Sequence, residues 1–147
     1  MPEIEESPLI VAHVDDDDKL LTSIRRIWRG KVKPGEFTYE QFITFDEIIA
    51  RIRDSSRETI ALLVTDGSLS NGKTGADVII EARTTGIRTI VYTGDNPGSY
   101  VYTKLIEAEI PETDVLGKPG AHNEVSPGGL LERIRKELVQ YREGRLK

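Results

Sequence analysis

The sequence contains no cysteine, which excludes disulfide bonds and thiolate metal sites. It has only two histidines, so a metal site built on imidazole ligands is not expected. No apolar run approaches the roughly 20 residues that a membrane-spanning helix needs, and the N-terminal MPEIEESP lacks a signal-peptide pattern. A net charge of −5 argues against a nucleic-acid-binding surface. These absences predict a cytoplasmic protein with no direct contact to nucleic acid and no membrane insertion.

Length and composition predict one soluble domain. The 147 residues suffice for a full-sized core, and contents of 37% hydrophobic and 31% charged residues are ordinary for a globular protein. We expect a single domain over residues 1–147, with its core over about 8–140. An acidic leader precedes this core, and a basic, frayed tail over 142–147 follows it. That tail is too short for an output domain that binds DNA or performs catalysis.

Two apolar runs predict strands that are buried on both faces. Residues 60–65, IALLVT, are followed by Asp66, and residues 9–14, LIVAHV, are followed by four aspartates at 15–18. Such strands belong to parallel sheets covered by helices, and ligands bind outside their carboxyl ends. The aspartates therefore lie where chemistry is expected. A simpler interpretation, in which Asp66 only opens an Asp-Gly turn with Gly67, also fits this stretch.

Three further strands, over 37–43, 88–93 and 114–117, alternate with helices along the rest of the chain. The first of them has the mixed pattern of an edge strand. Alternation of strand and helix five times predicts an α/β fold, a doubly wound five-stranded parallel sheet of order 2-1-3-4-5 with helices on both faces. Apolar positions at helical spacing mark the buried side of the first, second and last helices: Leu20, Leu21, Ile24, Ile27 and Trp28; Phe45, Ile48, Ile49 and Ile52; Leu130, Leu131, Ile134 and Leu138.

Local signals define several boundaries of these elements. Thr44 and Glu47 form a predicted capping box at the start of the second helix. The fourth helix is expected over 100–110, and a loose segment over 120–129 leads into the last helix. His13, inside the first strand, is interpreted as a hydrogen-bonded core residue rather than a functional one.

The predicted topology brings polar residues from four strand ends to one crevice. Asp15 and Asp16 follow the first strand, Asp66 follows the third, Thr93 ends the fourth and Lys118 follows the fifth. The switch point of a 2-1-3-4-5 sheet lies between its first and third strands. Carboxylates gathered there repel one another and need a cation. A set of oxygen ligands without His or Cys favours Mg²⁺.

A carboxylate beside Mg²⁺ can act as a nucleophile and form an aspartyl-phosphate. The Thr93 hydroxyl and the Lys118 ammonium would then each contact a phosphoryl oxygen. Helix capping is the alternative role for the aspartates at 15–18, because acidic side chains favour a helix N-terminus. We expect capping mainly from Asp17 and Asp18.

Four motifs, each at a predicted strand end, resemble the receiver domain of two-component response regulators, of the single-domain chemotaxis-regulator kind. They are VDDDD at 14–18, LLVTD at 62–66, IVYTG at 90–94 and LGKPG at 116–120. The resemblance spans about residues 8–139. It implies the flavodoxin-like receiver fold and a phosphoprotein of phosphorelay signal transduction, acting as a signalling switch or a relay intermediate.

The resemblance implies a role for each acidic residue. Asp66 becomes the phosphoacceptor, which a histidine kinase or phosphotransfer protein phosphorylates with Mg²⁺ as cofactor. Asp15 and Asp16 become the acidic metal pair. The backbone carbonyl of Ser68 would complete the metal shell together with Asp66.

The resemblance also implies how the signal is transmitted. Thr93 matches the switch hydroxyl, and Lys118 matches the lysine before a cis-proline, Pro119. A downstream protein would bind the face of the fourth helix, fifth strand and fifth helix, and the chain would be a monomer or weak dimer. It would not be an enzyme beyond self-phosphorylation from small donors and self-dephosphorylation.

Several positions depart from the family pattern. Ser70 stands where a proline is usual, Val115 where the switch aromatic is usual, and Gly120 where phenylalanine is common. The loop 67–74 is one residue longer than usual, and the segment before the last helix is about five residues longer. The departures concern switching more than phosphorylation.

Two alternative functions remain open on the sequence alone. One is a degenerate receiver that binds partners without phosphorylation, favoured by the altered loop and Val115. The other is a phosphohydrolase of the haloacid-dehalogenase type, which needs a further acidic pair at a strand end after the lysine. The glutamates that follow Lys118 form no such pair, and Asp66 would have no role in that enzyme.

Overall fold

The protein, described here from a computed structural model over residues 8–146, is built on a five-stranded parallel sheet. The strand order is 2-1-3-4-5, so the predicted fold class is confirmed. The strands are β1 Leu9–Val14, β2 Phe37–Phe42, β3 Ile60–Thr65, β4 Arg88–Thr93 and β5 Val115–Gly117. The helices are α1 Asp18–Trp28, α2 Phe45–Arg53, α3 Gly75–Thr84, α4 Tyr100–Glu107 and α5 Pro127–Leu146.

The apolar runs form the centre of this sheet because both of its faces are covered. Every residue of β1 and β3 is buried, whereas β2 is mostly half-exposed at the edge. Val11 and Val64 pack with α1 and α5 on one face, and Ala12 and Leu63 pack with α2 and α3 on the other. A third apolar cluster joins α4 to α3 and the β4–β5 edge.

The predicted helix and core signals are mostly confirmed. The capping box of Thr44 and Glu47 is present at the start of α2. Trp28 is 3% exposed, and its indole N–H donates to the carbonyl of Pro127 over 2.8 Å. Buried His13 forms a 2.7 Å hydrogen bond between its Nδ1 and the Tyr39 hydroxyl. Within residues 8–146, no helix combines the length and the apolar character needed to cross a membrane.

Several predicted boundaries are wrong by a few residues. Helix α4 ends at Glu107 rather than 110, and the predicted first residue of the fifth strand, Asp114, lies in a short 3-10 turn. Helix α5 begins inside the segment predicted to be loose and continues through residues expected to fray, to Leu146. Ile27, predicted on the buried side of α1, is 37% exposed. The acidic leader, residues 1–7, lies outside the described residues.

The Lys118–Pro119 peptide bond is trans, so the cis-proline implied by the resemblance is not found. The longer segment that follows folds back onto the sheet. Gly117 donates its N–H to the carbonyl of Asn123, and Val125 donates to the carbonyl of Gly117. Residues 123–125 therefore extend the sheet locally beyond β5, and the extra residues form an ordered loop between β5 and α5.

A network of charges joins the amino ends of β4 and β5 to α5. Asp114 accepts two hydrogen bonds from the guanidinium of Arg88, each 2.7 Å, and one of 2.9 Å from Arg133. Arg88 also pairs with Glu137. Burial would raise the pKa of Asp114, but the two arginines outweigh burial and hold it below the usual value. Ionised Asp114 therefore stabilises the folded state.

We expect Asp114→Asn to lower the free energy of unfolding by about 2 kcal/mol at pH 7, because two arginines lose a charged acceptor. A carboxyl with a lowered folded pKa contributes fully above its unfolded pKa, near 4, and loses its contribution as the pH falls through the folded value. Urea unfolding of both proteins at pH 7 and below pH 4 should show the difference shrinking in acid. A difference that grows in acid would contradict the network.

We also expect Gly117→Ala to disrupt the packing of the loop between β5 and α5 against the sheet. A Cβ at this position would overlap the carbonyl oxygen of His122. Relieving this overlap should cost about 1–3 kcal/mol of stability. Gly128→Ala is the matched control, because its Cβ meets nothing closer than 3.7 Å and alanine favours a helix. Thermal unfolding measures both, and equal melting temperatures for the two variants would contradict the docking.

Candidate functional site

Three carboxylates meet at the carboxyl ends of β1 and β3, where the sequence places them. Asp15, Asp16 and Asp66 each offer an oxygen, and these oxygens lie within 4.8 Å of one another. Asp15 is fully buried and Asp66 is 5% exposed, whereas Asp16 is open to solvent. The cluster thus combines two buried charges with one that faces water.

Backbone contacts fix the two buried aspartates. The N–H of Asp66 donates to the carbonyl of Val14 over 2.9 Å, continuing the β1–β3 ladder into the site. The N–H of Gly67 donates to Oδ1 of Asp66 over 2.7 Å. Gly75, the first residue of α3, packs so closely on the Asp66 carbonyl that a Cβ there would overlap it. The loop 67–74 that follows Asp66, called the acceptor loop below, is therefore held between β1 and the start of α3.

Lys118 reaches both buried carboxylates. Its Nζ lies 2.8 Å from Oδ2 of Asp15 and 3.2 Å from Oδ2 of Asp66. Its backbone N–H donates to the carbonyl of Thr93 over 2.9 Å, which joins the ends of β4 and β5. The Lys118 side chain therefore lies in the crevice and supplies a positive charge beside the two buried carboxylates.

The carboxylates hold more negative charge than Lys118 offsets. Burial raises the pKa of Asp66 to about 7, with repulsion from Asp15 adding to it and Lys118 opposing it. Burial also raises the pKa of Asp15, against the attraction of Lys118. Burial lowers the pKa of the His13 imidazole to about 3, with a further contribution from Lys118, so His13 is a neutral core residue. Binding of a cation would relieve the repulsion between the aspartates.

Thr93 lies at the end of β4, beside the acceptor loop, and is fully buried. Its hydroxyl donates to Oδ2 of Asp95 over 2.7 Å, and the backbone N–H of Asp95 donates back to the hydroxyl oxygen over 3.1 Å. The sequence interpretation did not include Asp95. An acidic residue two positions after a strand-end threonine was the available signal, since a hydroxyl readily bonds that backbone N–H.

The serines of the acceptor loop take separate positions. Ser68 forms an antiparallel bridge with Thr74, and its hydroxyl lies 3.5 Å from Asp95 Oδ2. Ser70, at the position where the resemblance leads to an expectation of proline, directs its hydroxyl to Oδ2 of Asp16 over 3.2 Å. This loop contains a 3-10 turn in which Asn71 has a φ of 62°. The extra residue is thus absorbed in a turn, and the substituted serine contacts the acidic cluster.

Val115, in place of the usual aromatic residue, leaves space between α4 and β5. It is 5% exposed and lines a cavity of about 260 Å³ together with Tyr102, Pro97 and Ile106. The hydroxyl of Tyr102 is buried there and has no hydrogen-bond partner among residues 8–144. The cavity lies on the surface that the resemblance assigns to a downstream partner.

The donor set fits a hard divalent cation. The carboxylate oxygens come from two strand ends, and Asp16 is open to water. Mg²⁺ binds carboxylates of this kind and keeps several coordinated waters. No cysteine thiolate competes, since the chain has no cysteine, and His13 is engaged in the core. Asp15, Asp16 and Asp66 are the residues placed to hold the cation.

No known family model matches this chain, and no curated protein matches it. Solved structures do match. A receiver domain protein, described as CheY-like, from Methanospirillum hungatei JF-1 superposes with a TM-score of 0.71 at 23% identity, covering 94% of this chain and 99% of that one. The signal receiver domain of an HD domain-containing protein from Pseudomonas fluorescens Pf-5 has a TM-score of 0.74 at 19% identity, covering 99% and 98%.

A third structure carries a modified site. A response regulator protein from Burkholderia pseudomallei, with a phosphorylated aspartic acid, a calcium ion and citrate, superposes with a TM-score of 0.57 at 16% identity. That match covers 76% of this chain and 61% of the other. The two nearly full-length matches and the strand order agree on one architecture. The chain therefore has the fold of response-regulator receiver domains.

Proposed function

We propose that this protein is a response-regulator receiver in which Asp66 accepts a phosphoryl group. The observation that carries the proposal is the cluster of Asp15, Asp66 and Lys118 at the switch point of the sheet. Lys118 Nζ lies within 3.2 Å of both carboxylates. A carboxylate that is 5% exposed and lies beside an ammonium is suited to attack phosphorus and to bind the product.

The transfer conserves atoms and charge in a simple way. An ionised Asp66 oxygen forms a bond to phosphorus while the bond from phosphorus to the donor breaks. The donor is a phosphohistidine nitrogen of a histidine kinase or phosphotransfer protein, or an oxygen of acetyl phosphate. The leaving nitrogen takes a proton from water, whereas acetate leaves as the anion. Lys118 would contact one phosphoryl oxygen, and the Gly67 N–H, which donates to Oδ1 of Asp66 in the structure, would contact another.

Mg²⁺ is the proposed cofactor. When bound, it neutralises negative charge on the transferring phosphoryl oxygens. Asp15, Asp16 and Asp66 would hold it, together with the carbonyl of Ser68. Asp66 would supply the nucleophile and Lys118 would bind the product. The hydrogen bonds of Asp66 to Val14 and Gly67 hold the acceptor in position.

The proposed biological role is two-component signalling in the cytoplasm. The chain would be phosphorylated by a histidine kinase or phosphotransfer protein, then act as a switch or relay intermediate. Its downstream protein target would bind the α4–β5–α5 face. The chain would have no enzymatic action on other molecules, apart from taking phosphate from small donors and releasing it to water.

Two observations favour a second candidate, a receiver that binds partners without phosphorylation. Thr93 bonds Asp95 rather than facing an open site, and Val115 leaves no aromatic on β5 to move. The haloacid-dehalogenase alternative gains no support. Glu137 is committed to Arg88 at the opposite edge of the sheet, and Glu124 bonds the N–H of Gly120 in the β5–α5 loop.

We expect acetyl phosphate with Mg²⁺ to add one phosphoryl group to the wild-type protein and none to Asp66→Asn. The amide cannot form the acyl phosphate. Intact-mass measurement detects the addition, and Asp46→Asn, a surface change on α2, is the matched control that should behave as wild type. Equal phosphate gain in wild type and Asp66→Asn would exclude Asp66 as acceptor. No gain in wild type from small donors and phosphohistidine proteins would favour the unphosphorylated alternative.

We also expect Asp66→Asn to raise the thermal stability of the metal-free protein, because it removes one of two buried like charges. Millimolar Mg²⁺ should stabilise wild type and shift its melting temperature more than that of the variant, since only the folded state binds the ion. Differential scanning calorimetry with and without Mg²⁺ measures both effects. An equal Mg²⁺ shift in the two proteins would contradict Asp66 as a metal ligand.

A further inference from the structure

The hydroxyl of Thr93 can donate one hydrogen bond, and Asp95 accepts it. The O–H donates to the Asp95 carboxylate over 2.7 Å, and the hydroxyl oxygen accepts from the Asp95 N–H over 3.1 Å. Thr93 is fully buried and Asp95 is half-buried, so the donor side of this bond is shielded from water. A hydroxyl held by a charged acceptor cannot donate to a phosphoryl oxygen at the same time.

We propose that Asp95 is a positioning residue that holds the Thr93 hydroxyl away from the phosphoryl site and so weakens loading of Asp66. The inference rests on the proposed function. Loading would have to break a charge-assisted hydrogen bond before Thr93 could bind the phosphoryl group. The Asp95 carboxylate would also repel the negative charge that arrives on Asp66.

The surroundings of Thr93 limit how it can respond. Its Oγ1 packs against the acceptor loop, where a Cβ on Gly67 would lie 2.6 Å from it. The oxygen is therefore already beside the residue that follows Asp66. Redirecting the O–H bond toward that loop requires a small rotation rather than a movement of β4, and the bond to Asp95 is what opposes this rotation.

The Asp95 carboxylate has one other hydroxyl within reach, that of Ser68. The Ser68 hydroxyl already lies 3.5 Å from Asp95 Oδ2, close enough to replace the lost donor after a small shift. The next residue, Asn96, accepts the backbone N–H of His122 at its Oδ1 over 3.1 Å. A rearrangement of Asp95 would thus be transmitted to the β5–α5 loop through one residue.

The first test needs no ligand. The Thr93 hydroxyl proton of the metal-free protein should exchange slowly with water in NMR, because it is buried and bonded to a carboxylate. Asp95→Ala should speed this exchange at least about tenfold, the factor expected for loss of one charge-assisted hydrogen bond. Glu58→Gln, an equal change of charge before β3 at the opposite edge of the sheet, should leave it unchanged. Unchanged exchange in Asp95→Ala would overturn the inference.

The second test measures loading with beryllofluoride, a phosphoryl mimic, in the presence of Mg²⁺. Asp95→Asn should bind it about tenfold more tightly than wild type, and Glu58→Gln should match wild type. In a Thr93→Val background the gain from Asp95→Asn should largely disappear, since its route is the hydroxyl. A gain of full size in that background would mean charge repulsion alone and would overturn the positioning role.

The two proposals fail in different ways. Beryllofluoride binding to wild type with no gain in Asp95→Asn would overturn the role of Asp95 and leave the phosphoacceptor intact. Binding to Asp95→Asn but not to wild type would support both. Absence of binding to every variant would overturn the proposed function, and with it the claim that Asp95 opposes loading.

Discussion

The ion pairs from Lys118 to two buried carboxylates are the interaction on which the site depends. A single ammonium lies 2.8 Å from Asp15 and 3.2 Å from Asp66, at the point where three strand ends meet. Without it, two buried like charges would face each other in a region of low dielectric. With it, burial and then repulsion from Asp15 still keep the pKa of Asp66 raised. The negative charge that Lys118 does not offset favours a divalent cation. The site therefore retains negative charge that Lys118 does not neutralise.

The parallel sheet positions Asp15, Asp66 and Lys118 relative to one another. Parallel strands align their carboxyl ends, so residues far apart in sequence share one edge. At the amino-terminal end of the strands, the ion pairs of Asp114 with Arg88 and Arg133 join β4 and β5 to α5. Because β5 has only three residues, this network and the docked loop after Gly117 hold the strand that leads to Lys118.

The sequence predicted the strands and their order because apolar runs and helical periodicity are strong, local signals. It also predicted that Asp15, Asp66, Thr93 and Lys118 would converge, since strand ends meet by topology. It could not predict the partner of the Thr93 hydroxyl, which depends on the turn that Asp95 makes. The trans bond at Pro119 and the exposure of Ile27 likewise differ from what the motif and the helical spacing predicted.

Receiver chemistry and the restraint by Asp95 both require an aspartyl-phosphate at one position, and its location can be measured directly. After transfer from a phosphohistidine protein, borohydride reduction converts an acyl phosphate to an alcohol, so phosphorylated aspartate becomes homoserine. Tandem mass spectrometry of the digested protein then identifies the residue. Homoserine at position 66 alone is the result expected from the crevice of Asp15, Asp66 and Lys118. Homoserine at another aspartate, with position 66 unmodified, would contradict Asp66 as the phosphoacceptor.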